Sequence, residues 1–277
     1  MTPASSLLPR LRRNAGAVKN GLRYRAPSRF GFVSGSYRSG TTAVANWIGT
    51  QPGAVSLSES RLTIAAHAML SEVRKFRSLH QTEAIVLLEM RRMLLSYYSK
   101  RLGSRCRRML VDKEPLGPIA LPDRNYQAYL ESVRAIFPEV RLIMMSRGPV
   151  ATIWSMTQRD YGHSLSVKSI RRYPLEEHIE NWCASADLIL KLAHQPNVYI
   201  CQFERLSAEP GLESRRIGNF LGWSKIVPFQ PRPTKSAAFS DEDLVLIYKH
   251  TAPQVAALGA LFLQQKQASG EGTIPVR

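Results

Sequence analysis

The sequence predicts an α/β fold, a three-layer α/β/α sandwich built on a central parallel sheet. Three observations predict it. Short apolar runs of strand length alternate with helix-period stretches along most of the chain. Connections of helix length between successive strands force those strands to run parallel. The chemically loaded residues fall just after the strands, at the carboxyl ends where parallel sheets hold ligands. At 277 residues and 44% apolar composition, the chain suffices for one substantial domain. It divides into a basic arm (1–28), a single domain (29–265) and a polar tail (266–277).

Phe30, Phe32 and Val33 mark the first strand, and Thr42 to Gly49 reads as the helix after it. Between them stands Gly35-Ser36-Tyr37-Arg38-Ser39-Gly40-Thr41-Thr42. A strand feeding a glycine turn and then a helix N-terminus aims several backbone N–H groups and the positive end of the helix dipole at one anion. The spacing Gly35-x4-Gly40 is P-loop-like, but Thr41 stands where the ATP-binding loop has lysine, and the cation is Arg38. Such a loop suits a nucleotide with a single 5′-phosphate better than one with a β,γ-diphosphate.

Ala54 to Leu57 is a short strand that runs into Ser58-Glu59, and Leu62 to Phe76 and Glu83 to Arg101 have helical period. Met109 to Val111 is a strand of the buried type ending in Asp112-Lys113-Glu114-Pro115, and Tyr126 to Phe137 is a helix stopped by Pro138. Leu142 to Met145 is the fourth strand. Arg147-Gly148-Pro149 breaks it, and Val150 to Gln158 reads as a helix with Pro149 near its first turn. Arg147 and Ser155, eight residues apart, could grip a second phosphate, one with a planar fork and one with a hydroxyl. Leu175 to Leu192 is helical, Val198 to Phe203 a strand, Leu212 to Leu221 a helix ending at Gly222, and Asp241 to Gln264 the last long helix. Arg38, Glu59, Lys113 and Arg147 follow the first four strands in turn, which argues for one site.

The net charge is +17, and the first acidic residue is Glu59. Residues 1–29 hold seven Lys/Arg and no acid, which fits a solvated tail, an organelle transit peptide or an electrostatic guide for polyanions. Cytoplasmic residence is expected, or an organelle if the arm is a transit peptide. Excess positive charge is expected of a protein that binds a polyanionic nucleotide, so no nucleic-acid partner is inferred from it. No run approaches 18 uninterrupted apolar residues, so no membrane span is expected. Cys106, Cys183 and Cys201 lack metal-like spacing and read as reduced thiols, and the six histidines are scattered, so no zinc site is expected.

The two loops, in this order, resemble those of sulfotransferases that use 3′-phosphoadenosine 5′-phosphosulfate (PAPS), and most of all protein-tyrosine sulfotransferases and their bacterial relatives. That subfamily carries Pro-Arg-Ser-Gly-Thr-Thr where this chain has Tyr37 to Thr42. It has a catalytic glutamate 21 residues after the loop arginine, in a Glu-Thr-Arg string, and Glu59-Ser60-Arg61 stands at that spacing. Asp112-Lys113-Glu114-Pro115 is similar to its Asn-Lys-Asp-Pro string. Arg147, Ser155, Met156 and Arg159 fill places in its second loop, and Phe203-Glu204-Arg205-Leu206 matches a Tyr-Glu-x-Leu motif. Three departures stand out. Gly148 replaces an aspartate, Phe203 replaces a tyrosine near the nucleotide, and the segment around Lys235 matches the cofactor-closing loop only loosely.

What the resemblance implies is PAPS as sulfuryl donor, no metal, and a hydroxyl acceptor: a protein tyrosine, a sugar, a lipid or a small molecule. Arg38, Ser39, Gly40, Thr41 and Thr42 would hold the 5′-phosphate. Arg147, Ser155 and Arg159 would hold the 3′-phosphate, with Phe203 and Lys235 also against the cofactor. Glu59 would be the general base, and Lys113 would stabilise the leaving diphosphate. Arg61 could orient Glu59 or neutralise the site, and His163 is a rival base. A P-loop kinase or other phosphotransferase, and a non-catalytic polyanion binder on the same fold, are the alternatives.

Overall fold

The computed structural model describes residues 29–75, 83–102, 109–118, 121, 123–158, 173–233 and 236–268. The elements run β1 (Arg29–Gly35), α1 (Thr41–Gly49), β2 (Ala54–Ser58), α2 (Leu62–Lys75), α3 (Glu83–Leu102), β3 (Met109–Lys113), α4 (Tyr126–Ile136), β4 (Arg141–Ser146), α5 (Pro149–Thr157), α6 (Leu175–Leu192), β5 (Val198–Gln202), α7 (Phe203–Ala208), α8 (Pro210–Leu221) and α9 (Asp241–Ala268). The five strands form one sheet in the order β2-β3-β1-β4-β5, and every neighbouring pair is parallel. The α/β fold read from the sequence is the one observed.

Strands β1, β3 and β4 are buried along almost their whole length because helices cover both faces of the sheet. Successive side chains alternate between those faces. Phe30, Phe32, Leu110, Leu142 and Met144 join a core with Leu70, Leu94, Tyr129 and Trp182 on one side. Val33, Met109, Val111, Ile143 and Met145 join Val44, Trp47, Ile48, Ile217 and Leu221 on the other. The chain leaves β1 by α1 on the second face and leaves β3 by α4 on the first. Their connections therefore part at the carboxyl end of β1, the kind of crevice where open parallel sheets bind ligands.

Where β1 turns into its loop, the backbone passes very close to β4. Gly35 has φ 143°, and a Cβ built there would lie 2.4 Å from the carbonyl oxygen of Met145. Backbone cannot give way as a side-chain tip can. Gly35→Ala is expected to cost roughly 2–4 kcal/mol of stability through strain and overpacking, measured as the shift in the denaturation midpoint. A midpoint equal to that of the wild type would contradict this packing.

Several boundaries differ from the sequence reading, most by one residue, and β3 runs on to Lys113 past the expected end at Val111. β5 stops at Gln202, and Phe203 opens the short helix α7 with its ring against Gly40. The helix α8 begins at Pro210 in its first turn, two residues before the expected Leu212. Helix α9 continues through Ala268, into what the sequence marks as polar tail. Strand β4 extends one residue further at each end than Leu142 to Met145. Among the described residues, no helix is long and apolar enough to cross a membrane. The basic arm, Cys106, His163, Arg159 and Lys235 lie outside the described residues. Cys183 and Cys201 are free thiols.

Candidate active site

The loop after β1 has the geometry that anion binding requires. Arg38 has φ 66° and Gly40 φ 99°, so the backbone turns through left-handed conformations before α1 starts. The first helical bond runs from Val44 N to Gly40 O at 3.1 Å, and no side chain caps the helix. The amides of Thr41, Thr42 and Ala43 precede that bond and have no intrahelical acceptor. Ser39 Oγ bonds instead to Ser36 O at 2.7 Å and stiffens the loop. Gly40 is required for a second reason, since a Cβ there would meet the Phe203 ring at 2.3 Å.

The two loops expected to hold two phosphates meet directly. Arg38 Nε donates to Ser155 Oγ at 2.9 Å, and Arg147 Nη1 donates to the carbonyl of Arg38 at 3.2 Å. Ser155 is thus joined to the arginine of the first loop as well as sharing a loop–helix unit with Arg147. The Arg147 guanidinium lies over the Phe203 ring, 4.9 Å from its centre. Trp182 Nε1 fixes the Arg147 carbonyl at 2.9 Å, and the Glu204 carboxylate accepts from Gly148 N at 2.9 Å. Burial pulls Arg147 below the usual arginine range, Glu204 opposes this, and Arg38 adds to it. Two guanidinium groups brought together this way form a site for an anion of more than one charge.

On the other side of β1, the sheet register carries Glu59 and Lys113 to the same edge. Ser58 lies level with Lys113, and Glu59 N donates to the Lys113 carbonyl at 2.7 Å. The Lys113 side chain is 1% exposed, and its Nζ bonds Glu59 Oε1 at 2.6 Å. That excludes a surface pairing of Lys113 with Asp112 or Glu114. Arg61 Nη2 reaches Glu59 Oε2 at 3.5 Å while its Nη1 pairs with Glu114 Oε1 at 3.0 Å. Arg61 thus lies between Glu59 and Glu114, and its position is fixed by Glu114, which also accepts from Arg61 N at 3.3 Å. Glu59 and Arg61 have φ 53° and 59°, conformations uncommon for such residues, so this corner is held against local preference.

The sequence motifs contain more of the site than their first reading assigns. Asp112 is fully buried, accepts from Ser60 Oγ at 2.5 Å and Tyr98 Oη at 2.9 Å, and is pushed above the usual aspartate range by that burial. Tyr37 packs on Gly117 against Arg61, and burial raises its phenol to about 12, so it stays neutral. Glu114 has no exposed side-chain surface. Two acids at the end of an otherwise apolar central strand were the available signal for both carboxylates.

Burial pushes the Glu114 carboxyl from 4.5 up to about 7, with Arg61 opposing and Asp112 and Glu59 reinforcing. A carboxyl raised in the folded state holds its proton more tightly there than in the unfolded chain. It adds stability that is complete below about pH 4.5 and lost as pH rises through about 7. Glu114→Gln removes that dependence. Its unfolding free energy relative to the wild type should drift in the variant's favour across this window, by at most about 1.4 kcal/mol per pH unit. A difference that is flat with pH would mean that Glu114 ionises as an ordinary glutamate.

A model of the sulfotransferase family matches residues 32–226, which include both loops and the Glu59–Lys113 pair. The chain belongs to the sulfotransferase family. Among solved structures, it is similar to a sulfotransferase from Alicyclobacillus acidocaldarius, with a TM-score of 0.54 and 18% identity over 86% of this chain and 96% of that one. It is also similar to the sulfotransferase domain of the Synechococcus PCC 7002 olefin synthase (TM-score 0.47, 20% identity, 73% and 75% covered). A third likeness is to a Mycobacterium avium sulfotransferase (TM-score 0.47, 13% identity, 93% and 80% covered). No curated protein matches the chain. The protein is a sulfotransferase enzyme, and the kinase alternative gives way to that assignment. In this sulfotransferase the loop after β1, the loop after β4 and the ends of β2 and β3 all lie at the carboxyl edge of the parallel sheet.

Proposed function

We propose that the sulfotransferase moves the sulfuryl group of PAPS onto a hydroxyl acceptor, with Glu59 as general base. The observation that carries this reading is the junction of Arg38, Ser155 and Arg147 beside an uncapped helix N-terminus, which gathers two guanidinium groups and free backbone amides in one place. A cavity of about 630 Å³ adjoins it, lined by Thr42, Asn46, Trp47, Phe203 and Phe229, with Arg232 at its margin. Its aromatic walls suit an adenosine group.

The residues present fit PAPS. The amides of Gly40, Thr41 and Thr42 and the Arg38 guanidinium would hold the 5′-phosphate end, with Ser39 bracing the loop through its N and Oγ bonds to Ser36 O. Arg147 and Ser155 would hold the 3′-phosphate, joined in this reading by Arg159, and Lys235 would close over the nucleotide. Bound there, PAPS supplies the sulfuryl group. Arg61 aims the Glu59 carboxylate, and Glu59 takes the acceptor's hydroxyl proton at one of its oxygens. Lys113 has three N–H groups, one of them on Glu59, and offers another to the oxygen that gains charge as the sulfuryl group departs.

The direct test is transfer of label from [³⁵S]PAPS to a panel of tyrosine peptides, sugars, phenols and hydroxylated lipids, followed by identification of the labelled product. Label should appear in an O-sulfated product and vanish with Arg38→Ala. Label retained with Arg38→Ala, or none in any hydroxyl class, would overturn the reading.

A further inference from the structure

Helix α9 lies beyond the residues matched by the family model, and along one flank most of its apolar side chains are exposed, Phe262 alone packing partly on the core. Ile247, Thr251, Leu258 and Leu261 are buried, on a side that packs toward α5 and α6. Val245, Tyr248, Val255 and Leu263 are instead 66%, 58%, 43% and 64% exposed. Ala252 and Gly259 are exposed between them, with open space where a Gly259 Cβ would stand. The spacing is that of a heptad seam. Val245, Ala252, Gly259 and Lys266 recur every seven residues, and so do Asp241, Tyr248, Val255 and Phe262. On a regular helix these eight positions fall on one flank about 100° wide. Pro253 occupies an outer heptad position, off the seam.

We propose that α9 pairs with the α9 of a second copy of this chain, antiparallel about a two-fold axis. Such a pair sets the first series against the second. The register that places Ala252 against the second copy's Val255 also places Tyr248 against its Gly259, Val245 against its Phe262 and Asp241 against its Lys266. The layers complement one another: large on small, apolar on apolar, and acid opposite base at both ends of the seam. A shift of one heptad shortens the seam and leaves Asp241 facing Gly259 or Lys266 facing Tyr248. Antiparallel pairing also opposes the two helix dipoles favourably. A groove of about 500 Å³ runs beside the seam, with Gly148, Pro149 and Val150 on its far wall, so the interface reaches the loop that carries Arg147.

Sedimentation velocity at tens of micromolar should give twice the chain's mass for the wild type. Val255→Glu and Tyr248→Glu, each at an exposed position, should weaken association at least tenfold with unchanged circular dichroism, and should lower the thermal midpoint only by the share that dimerisation supplies. Cysteine pairing reads the register, in a chain with Cys106 and Cys183 replaced by serine. A mixture of the Tyr248→Cys and Gly259→Cys chains should form a disulfide. Neither chain alone should, since each cysteine stands about 16 Å along the axis from its own mate. A wild type that stays monomeric, including one that uses this face to bind anionic vesicles instead, overturns the proposal. So does a dimer that tolerates both glutamates, or a single-cysteine chain that cross-links to itself.

Discussion

Glu59→Gln is expected to lower turnover by roughly 10²–10⁴-fold while leaving affinity for adenosine 3′,5′-diphosphate nearly unchanged. Glutamine keeps the length of the side chain, and its amide oxygen can still accept from Lys113, which bonds Glu59 Oε1 at 2.6 Å. What it loses is the oxygen able to take the acceptor's proton, along with the charge that draws Arg61 to Glu59. The effect should therefore fall on kcat and not on nucleotide binding. A variant that binds the diphosphate weakly and unfolds early would instead make Glu59 a structural partner of Arg61. Full activity would remove it from the mechanism and direct attention to His163.

Lys113→Ala should be nearly as damaging for a different reason. Its ammonium is buried, 1% exposed, so any charge it meets is met in a poorly screened setting. Removing it takes away the donor proposed for the departing oxygen, and turnover should fall by about 10²–10³-fold. It also leaves Glu59 held by Arg61 alone, so diphosphate affinity should drop modestly. Single-turnover measurement with saturating donor separates the two effects. A folded Lys113→Ala protein with wild-type single-turnover rate would contradict the assignment.

Much of this architecture was legible because its signals are local. Strands β1, β3 and β4 each carry an apolar run because both of their faces are covered, and the run Gly35 to Thr42 announces an anion loop by glycine placement alone. Glu59 and Lys113 could be singled out by spacing, but their ion pair depends on β2 and β3 being neighbours in register. The bond from Arg38 to Ser155 spans 117 residues and exists because β4 lies beside β1, which no local pattern encodes. Phe203 misled for a similar reason. It reads as the end of an apolar strand, yet its ring is claimed by Gly40 and Arg147, and the backbone turns into α7 there. Nothing local to Glu114 marks it for burial, which follows from β3 lying in the interior of the sheet between β2 and β1.

The central claim is that two loops grip a nucleotide carrying both a 5′- and a 3′-phosphate, and thermal unfolding with added nucleotides tests it most directly. Adenosine 3′,5′-diphosphate should raise the unfolding temperature well beyond AMP, ADP or ATP, without magnesium. A tenfold preference amounts to about 1.4 kcal/mol, within reach of one charge-assisted contact to the 3′-phosphate. Arg147→Ala should erase that preference and leave the weaker response to AMP. Stabilisation by ATP with magnesium equal to or greater than that by the 3′,5′-diphosphate would contradict the account.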